Sequence, residues 1–261
     1  MVGKDVLVTV AMVHGNPETD AIWQELVAEL AHRGVNEVAL LSPPGFGAPI
    51  PEHWTATRQA YRDWLVEEVA MLAADGPIDL VGHDWGAGHV FGLLETRPDL
   101  VRSWACDVVG LLHPNYVWHE AAQAWQSPGL GEQAVAMMTG LSTDERKVLF
   151  QDLGMHEDAA IATAESLDDM LSCVLPLYRS ATQPACAELG ASLIAASASM
   201  RLPPGLALDP TEDPYVGHGA EAAALLRAKH APIHGAGHWW MTERPEEAAD
   251  ALVEFWNSLT N

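Results

Sequence analysis

One aspartate stands where a carboxylate can act as a nucleophile. Asp84 lies in Gly82-His83-Asp84-Trp85-Gly86-Ala87-Gly88, where an apolar run, Ile78–Gly82, meets a segment of helical periodicity. Small residues at Gly82, Gly86 and Ala87 let a strand turn sharply into a helix and leave the middle residue strained and prominent, the pattern of a nucleophile elbow. An ordinary βα loop with an N-capping aspartate would use the same residue types, so the case depends on partners elsewhere in the chain. The chemistry follows from the residue type. A carboxylate is already ionised and attacks a saturated carbon in line, leaving an ester that water must then hydrolyse with the help of a base. The N-terminus of the helix after the elbow favours the ionised form.

The elements that must position this residue alternate along the chain. Val6–Val13 is a continuous apolar, β-branched-rich run, as expected of a strand buried on both faces. A turn over His14–Thr19 leads to Ile22, Trp23, Leu26, Val27 and Leu30 at helical spacing, closed by Gly34. Glu37–Leu41 is the second strand, a helix follows around Tyr61–Leu72, Ile78–Gly82 is the third strand and Val101–Val109 the fourth. From Leu112 to Pro203 only amphipathic helical segments occur, and Ala191–Ser199 belongs to a small-residue helix rather than a linker. Gly205–Asp209 and Ala231–Ile233 resume the strands, and Pro245–Leu259 is the closing helix. This alternation predicts a mostly parallel, doubly wound α/β sheet. Residues 1–111 and 204–261 would form its core, and 112–203 a helical lid over the carboxyl ends of the strands.

Composition narrows the partners. The chain has 261 residues, 49% of them hydrophobic, and a formal net charge of −23. Such a surface repels nucleic acid and anionic membrane, so neither is expected as a partner. Cys106, Cys173 and Cys186 form no paired spacing, which argues against a disulfide framework or a zinc site. His119–Gln123 reads HEAAQ and lacks the second histidine of a zinc-protease helix. No phosphate-binding or dinucleotide fingerprint appears, and no cofactor is expected. With no secretory leader pattern and no bilayer-spanning run, a cytoplasmic location is the expectation.

Taken together, Val13–Pro17 (VHGNP), the elbow, a helical lid, Thr211–Gly217 (TEDPYVG) and Gly235–Trp240 (GAGHWW) resemble the aspartate-nucleophile branch of the α/β-hydrolase superfamily, which includes epoxide hydrolases and haloalkane dehalogenases. The resemblance covers nearly the whole chain. That family usually begins with two more strands, so a sheet of about six is expected here. The resemblance implies that His238 is the base; of 12 histidines it alone follows a short strand and precedes the last helix. It implies Asp213 as the acid that orients His238. Asp209, at the end of the same strand, and Asp107, near the position some dehalogenases use, remain alternatives. It also implies that the backbone N–H groups of Asn16 and Trp85 form an oxyanion hole.

The same resemblance leaves two leaving groups in play. In haloalkane dehalogenases an asparagine amide and the indole after the nucleophile hold the halide, and Asn16 and Trp85 match both. In epoxide hydrolases two lid tyrosines protonate the leaving alkoxide. Tyr178 matches the second, the position of the first is occupied by Ala124, and Tyr116 is available to substitute. Fluoroacetate-type dehalogenases hold halide with a lid histidine, tryptophan and tyrosine, roles open to His119, Trp118 or Trp125, and Tyr178. Each lid aromatic also has a plain packing role available. The expectation is an epoxide hydrolase acting on a small hydrophobic substrate. A haloalkane or haloacid dehalogenase is the alternative, and a non-catalytic scaffold binding a small ligand is the alternative of a different class.

Overall fold

The computed structural model describes residues 8–259, so the first residues of the expected Val6–Val13 strand lie outside the described residues. In chain order the elements are β1 (Val10–Val13), α1 (Gln24–His32), β2 (Val38–Leu41), α2 (Arg58–Leu72), β3 (Ile78–Gly82), α3 (Trp85–Thr96) and β4 (Val101–Cys106). Five helices then follow: α4 (Glu120–Gln126), α5 (Leu130–Thr139), α6 (Thr143–Asp152), α7 (Glu157–Ser180) and α8 (Ala185–Ala198). The chain closes with β5 (Gly205–Pro210), α9 (Gly219–Leu226), β6 (Lys229–Ile233), α10 (Trp240–Glu243) and α11 (Pro245–Ser258).

The six strands form one sheet in the order β2-β1-β3-β4-β5-β6, and every neighbouring pair is parallel. β1 sits between β2 and β3, with Val10 opposite Val38 on one side and Asp79 on the other. All four of its side chains are buried, which is why its sequence is a run rather than an alternation of apolar residues. α1 packs on α11, while α2, α3, α8 and α9 form a chain of neighbours, so helices cover the sheet in two layers. The expected fourth strand is shorter than its apolar run. It ends at Cys106, and Val109–Leu112 becomes a 3-10 turn after Val108 adopts a left-handed conformation with φ 43°. Helix α9 carried no strong sequence signal, because its Ala- and Leu-rich turn is only eight residues long.

Parallel strands all end on one edge, and that edge collects the chemistry. The loop after β1 carries Asn16 and Glu18, the turn after β3 carries Asp84, Asp107 follows β4, Asp213 follows β5 and His238 follows β6. Helices α4 to α7 lie beside one another, and α7 also reaches α2 and the 3-10 turn at Asp20–Trp23. α8 packs instead on α3 and α9. No helix among the described residues is long and apolar enough to cross a membrane.

The turn into α3 depends on close backbone approach. A methyl group at Gly86 would overlap the carbonyl oxygens of Val13 and His14, and one at Gly15 would overlap the Asp84 carboxylate. Gly86→Ala must therefore push α3 away from β1. Because the clash is with backbone rather than a flexible side-chain end, a loss of about 1–3 kcal/mol or more is expected, read from the midpoint of urea unfolding.

Candidate active site

Asp84 occupies the N-cap of α3 with φ 49° and ψ −121°, a conformation that L-residues adopt only under constraint. Its backbone N–H donates to Asp107 Oδ1 at 2.9 Å, and its Oδ2 accepts the N–H of Asn16 at 3.1 Å. Asp84 is therefore held at its backbone and at one carboxylate oxygen, and no hydrogen bond among the described residues is given to Oδ1. Trp85 is the first residue of α3, so its N–H has no acceptor within the helix. Burial pushes the Asp84 carboxyl up to about 6; His238 pulls it down and Glu18 pushes it further up.

His238 donates through Nδ1 to Asp213 Oδ2 at 2.8 Å. Asp213 is itself set by the turn, its Oδ1 accepting the Tyr215 N–H at 2.8 Å. Burial alone would lower His238, but Asp213 outweighs it and the imidazole titrates above its ordinary range, with the charge of Asp84 adding to the rise. Burial would likewise raise Asp213, yet its hydrogen bond to His238 brings it below the usual carboxylate value. Of the three acids considered from sequence, only Asp213 meets His238 in this way. Asp209 pairs with His230 at 2.7 Å.

Asp107 is occupied in a second cluster that sequence reasoning did not foresee. His83, wholly buried, lies between two carboxylates: its Nδ1 donates to Asp107 Oδ2 in a short hydrogen bond, and its Nε2 donates to Glu18 Oε1 at 3.0 Å. Trp240 Nε1 adds a bond to Asp107 Oδ2 at 2.6 Å, Trp239 Nε1 to Glu18 Oε1 at 2.8 Å, and the Gly15 N–H to Glu18 Oε2 at 3.0 Å. Burial opposes charge at His83 and at Glu18. The two acids nevertheless hold His83 well above its ordinary value, and His83 and its neighbours bring Glu18 down to about 2. Glu18, His83 and His238 also offer ligand atoms within 4.8 Å of one another, the geometry of a cation site. Here His83 Nε2 is already hydrogen-bonded to Glu18, and His238 Nε2 stands 3.9 Å from the same Glu18 oxygen. The signal in sequence was that His83 precedes Asp84 within the elbow and Glu18 directly follows Val13–Pro17.

The aromatic residues converge above Asp84. Tyr178 packs edge-on against Trp85 at 4.9 Å and Trp125 at 4.8 Å, and Trp118 stacks on Trp85 at 5.7 Å. Trp118 donates its indole N–H to the Ala181 carbonyl at 3.2 Å, so that donor faces away from a ligand. His119 caps α4, its Nδ1 accepting the Ala122 N–H at 3.3 Å. Tyr116 is buried, and its hydroxyl and both amide atoms of Asn16 have no hydrogen-bond partner among the described residues. Tyr215, not anticipated from sequence, lies edge-on to His238 at 4.9 Å and beside His119 at 5.1 Å. Burial raises the phenols of Tyr178, Tyr116 and Tyr215, and the charge of Asp84 raises each further, so all three stay protonated at neutral pH. Asn16, Asp84, His119, Tyr178, Tyr215 and His238 share a cavity of about 340 Å³.

The buried Glu18–His83–Asp107 cluster sets a stability expectation. Removing one partner leaves an uncompensated charge, so Glu18→Gln should cost about 3–5 kcal/mol by urea unfolding near neutral pH. The folded pKa of Glu18 is depressed, so its contribution is fully present above its ordinary value of 4.5 and is lost as pH falls toward about 2. The difference between wild type and variant should therefore shrink across that interval. A difference unchanged between pH 6 and pH 3 would count against an ionised Glu18.

The fold is shared with known hydrolases. The chain is similar to the haloalkane dehalogenase DbeA from Bradyrhizobium elkani, at 21% identity, with 99% of this chain and 92% of that one covered and a TM-score of 0.71. It is similar to the epoxide hydrolase CorEH at 16% identity, covering 97% and 92%, with a TM-score of 0.76. It is also similar to E-2-(acetamidomethylene)succinate hydrolase at 18% identity, covering 96% and 91%, with a TM-score of 0.67. No curated protein matches the sequence. These likenesses establish the architecture; the sequence itself matches the family model described as the alpha/beta hydrolase family over residues 10–251, and the chain belongs to that family.

Proposed function

We propose that this hydrolase opens an epoxide to a diol through an ester on Asp84. The observation that carries the reading is the set of phenols around the carboxylate: Tyr116, Tyr178 and Tyr215 line one pocket with Asp84, and the buried Tyr116 hydroxyl has no partner among the described residues. An epoxide oxygen stays on the substrate as a basic alkoxide and needs a proton; a halide needs none. Asp84 Oδ1 attacks the epoxide carbon, the C–O bond breaks, and Tyr178 gives its proton to the alkoxide. His238 Nε2 then takes a proton from water, and the hydroxide attacks the ester carbonyl. The N–H groups of Asn16 and Trp85 hold the resulting oxyanion. Collapse releases the diol and restores Asp84, and the proton on His238 returns to the Tyr178 phenolate. Residues 112–203 serve as the lid over this site, with α8 anchoring its end to the core.

The dehalogenase reading retains one specific support, the Asn16 amide, which lines the cavity with Asp84 and has no hydrogen-bond partner among the described residues. The haloacid form has less, because among the described residues no lysine or arginine lines the cavity to hold a carboxylate. Assays of a panel of epoxides and organohalides for both diol and halide separate the reactions directly.

The electrostatics give the two half-reactions different pH dependences. Attack requires ionised Asp84 and should fall as pH drops through about 6. Hydrolysis requires neutral His238, whose pKa is held up in part by the charge of Asp84. Esterification removes that charge, so the base should titrate lower in the ester than in the free enzyme. In stopped-flow measurements the hydrolysis step should then have a lower pH midpoint than His238 shows by NMR in the resting protein. In His238→Gln, attack should proceed and hydrolysis stall, leaving a substrate adduct in the intact-protein mass spectrum that Asp84→Ala lacks. Substrate binding to His238→Gln without an adduct would remove His238 from this role.

Leaving-group chemistry makes a tyrosine-specific expectation. Tyr178→Phe should slow alkylation by an epoxide by roughly 10²–10³, the scale of one oxyanion donor. In a haloalkane dehalogenase the same change would cost little, whereas Asn16→Ala or Trp85→Phe would cost much. Pre-steady-state alkylation rates of the three variants, with the product identified, decide between them.

A further inference from the structure

The cavity changes character along its length. Its polar side chains cluster where Asp84 and His238 lie, and the remainder of its wall is hydrocarbon and aromatic. Beyond Trp125 that wall is made by Met137 and Met138 of α5, Leu149 and Phe150 of α6, and Leu153 just after α6. Met137 and Leu153 line the cavity and are also 70% and 51% exposed, which places its mouth between α5 and α6. The cavity therefore runs through the thickness of the lid. Among the described residues no lysine or arginine lines it, and the chain carries a net charge of −23.

We propose that the substrate is an uncharged molecule whose reactive carbon sits at one end of an extended, flexible hydrocarbon chain, the chain passing outward between α5 and α6. This rests on the reaction assigned to Asp84 only for the identity of the reactive end. A carboxylate within the passage would be buried without a partner. A compact aromatic substrate would fill the inner end and leave the outer wall uncovered. Two adjacent methionines at the outer end suit a tail of variable conformation. At the roughly 30 Å³ that a water takes in the liquid, 340 Å³ holds about ten to twelve non-hydrogen atoms.

Binding can be measured without turnover. For linear primary alcohols of four to twelve carbons, titrated calorimetrically into the full-length wild-type protein, Kd should fall about threefold to fourfold per methylene. The trend should level off near ten carbons. A flat series overturns the proposal. Methyl 6-hydroxyhexanoate should bind at least tenfold more tightly than 6-hydroxyhexanoate at pH 8; equal binding overturns the uncharged class. In turnover, the kcat/KM ratio of 1,2-epoxydecane to 1,2-epoxybutane should be at least 100, with styrene oxide well below the decane. Ala134→Phe, which narrows the passage, should reduce that ratio at least tenfold, and an unchanged ratio in a folded variant overturns the path. The two readings fail separately. Alcohol binding graded by length with no turnover of any epoxide supports the passage and removes the reaction; epoxide turnover indifferent to tail length and shape does the reverse.

Discussion

Asp107 accepts the backbone N–H of Asp84 through one oxygen and the donors of His83 and Trp240 through the other. A backbone at φ 49° and ψ −121° costs on the order of 1–3 kcal/mol at a residue with a side chain, and it persists only if its surroundings over-determine it. Here they do so on three sides. Asp107 holds the N–H, Asn16 holds the carboxylate, and the absence of side chains at Gly15 and Gly86 lets β1 close against the turn. Movement of any of these would change the direction of Oδ1, which is why the loop after β1 and the residue after β4 belong to the same construction.

The charge arrangement follows from that crowding. Asp84, Glu18, Asp107 and Asp213 are four carboxylates near one another, and two imidazoles stand between them. His83 is held by Glu18 and Asp107, and His238 by Asp213. The division matters because the two histidines differ in use. His83 has both nitrogens committed and serves as a fixed positive charge. His238 has Nδ1 committed, and its Nε2 lies 3.9 Å from Glu18, beyond direct hydrogen bonding. Burial raises the stakes of every pairing, since an unpaired charge there costs far more than one at the surface.

The sheet and the positions of Asp84, His238 and Asp213 were legible because backbone requirements leave marks in sequence: glycines where chains touch, β-branched runs where both faces are covered. Residues acting through side-chain direction left weaker marks. Asp107 and Asp213 both follow strands, and nothing in the letters says that His83 occupies one and His238 the other. Tyr215 sits in a loop whose path alone turns its ring toward His238. Glu18 reads as a surface residue of a polar turn until the indoles of Trp239 and Trp240 are seen to enclose it and its partner. In the lid, periodicity announced helices but not which faces would meet around the cavity.

Strands β4 and β5 are adjacent and parallel, and α8 lies on α3 and α9 between them in sequence. The connection from β4 through α8 to β5 is thus a complete crossover by itself, and α4 to α7 form a loop let into it. Asp213 and His238 arrive only after that loop, following β5 and β6, whose places in the sheet do not depend on what the loop contains. The architecture is therefore modular in the evolutionary sense. Lineages can replace or reshape the roof of the chamber, and with it the molecules admitted, while inheriting the floor unchanged.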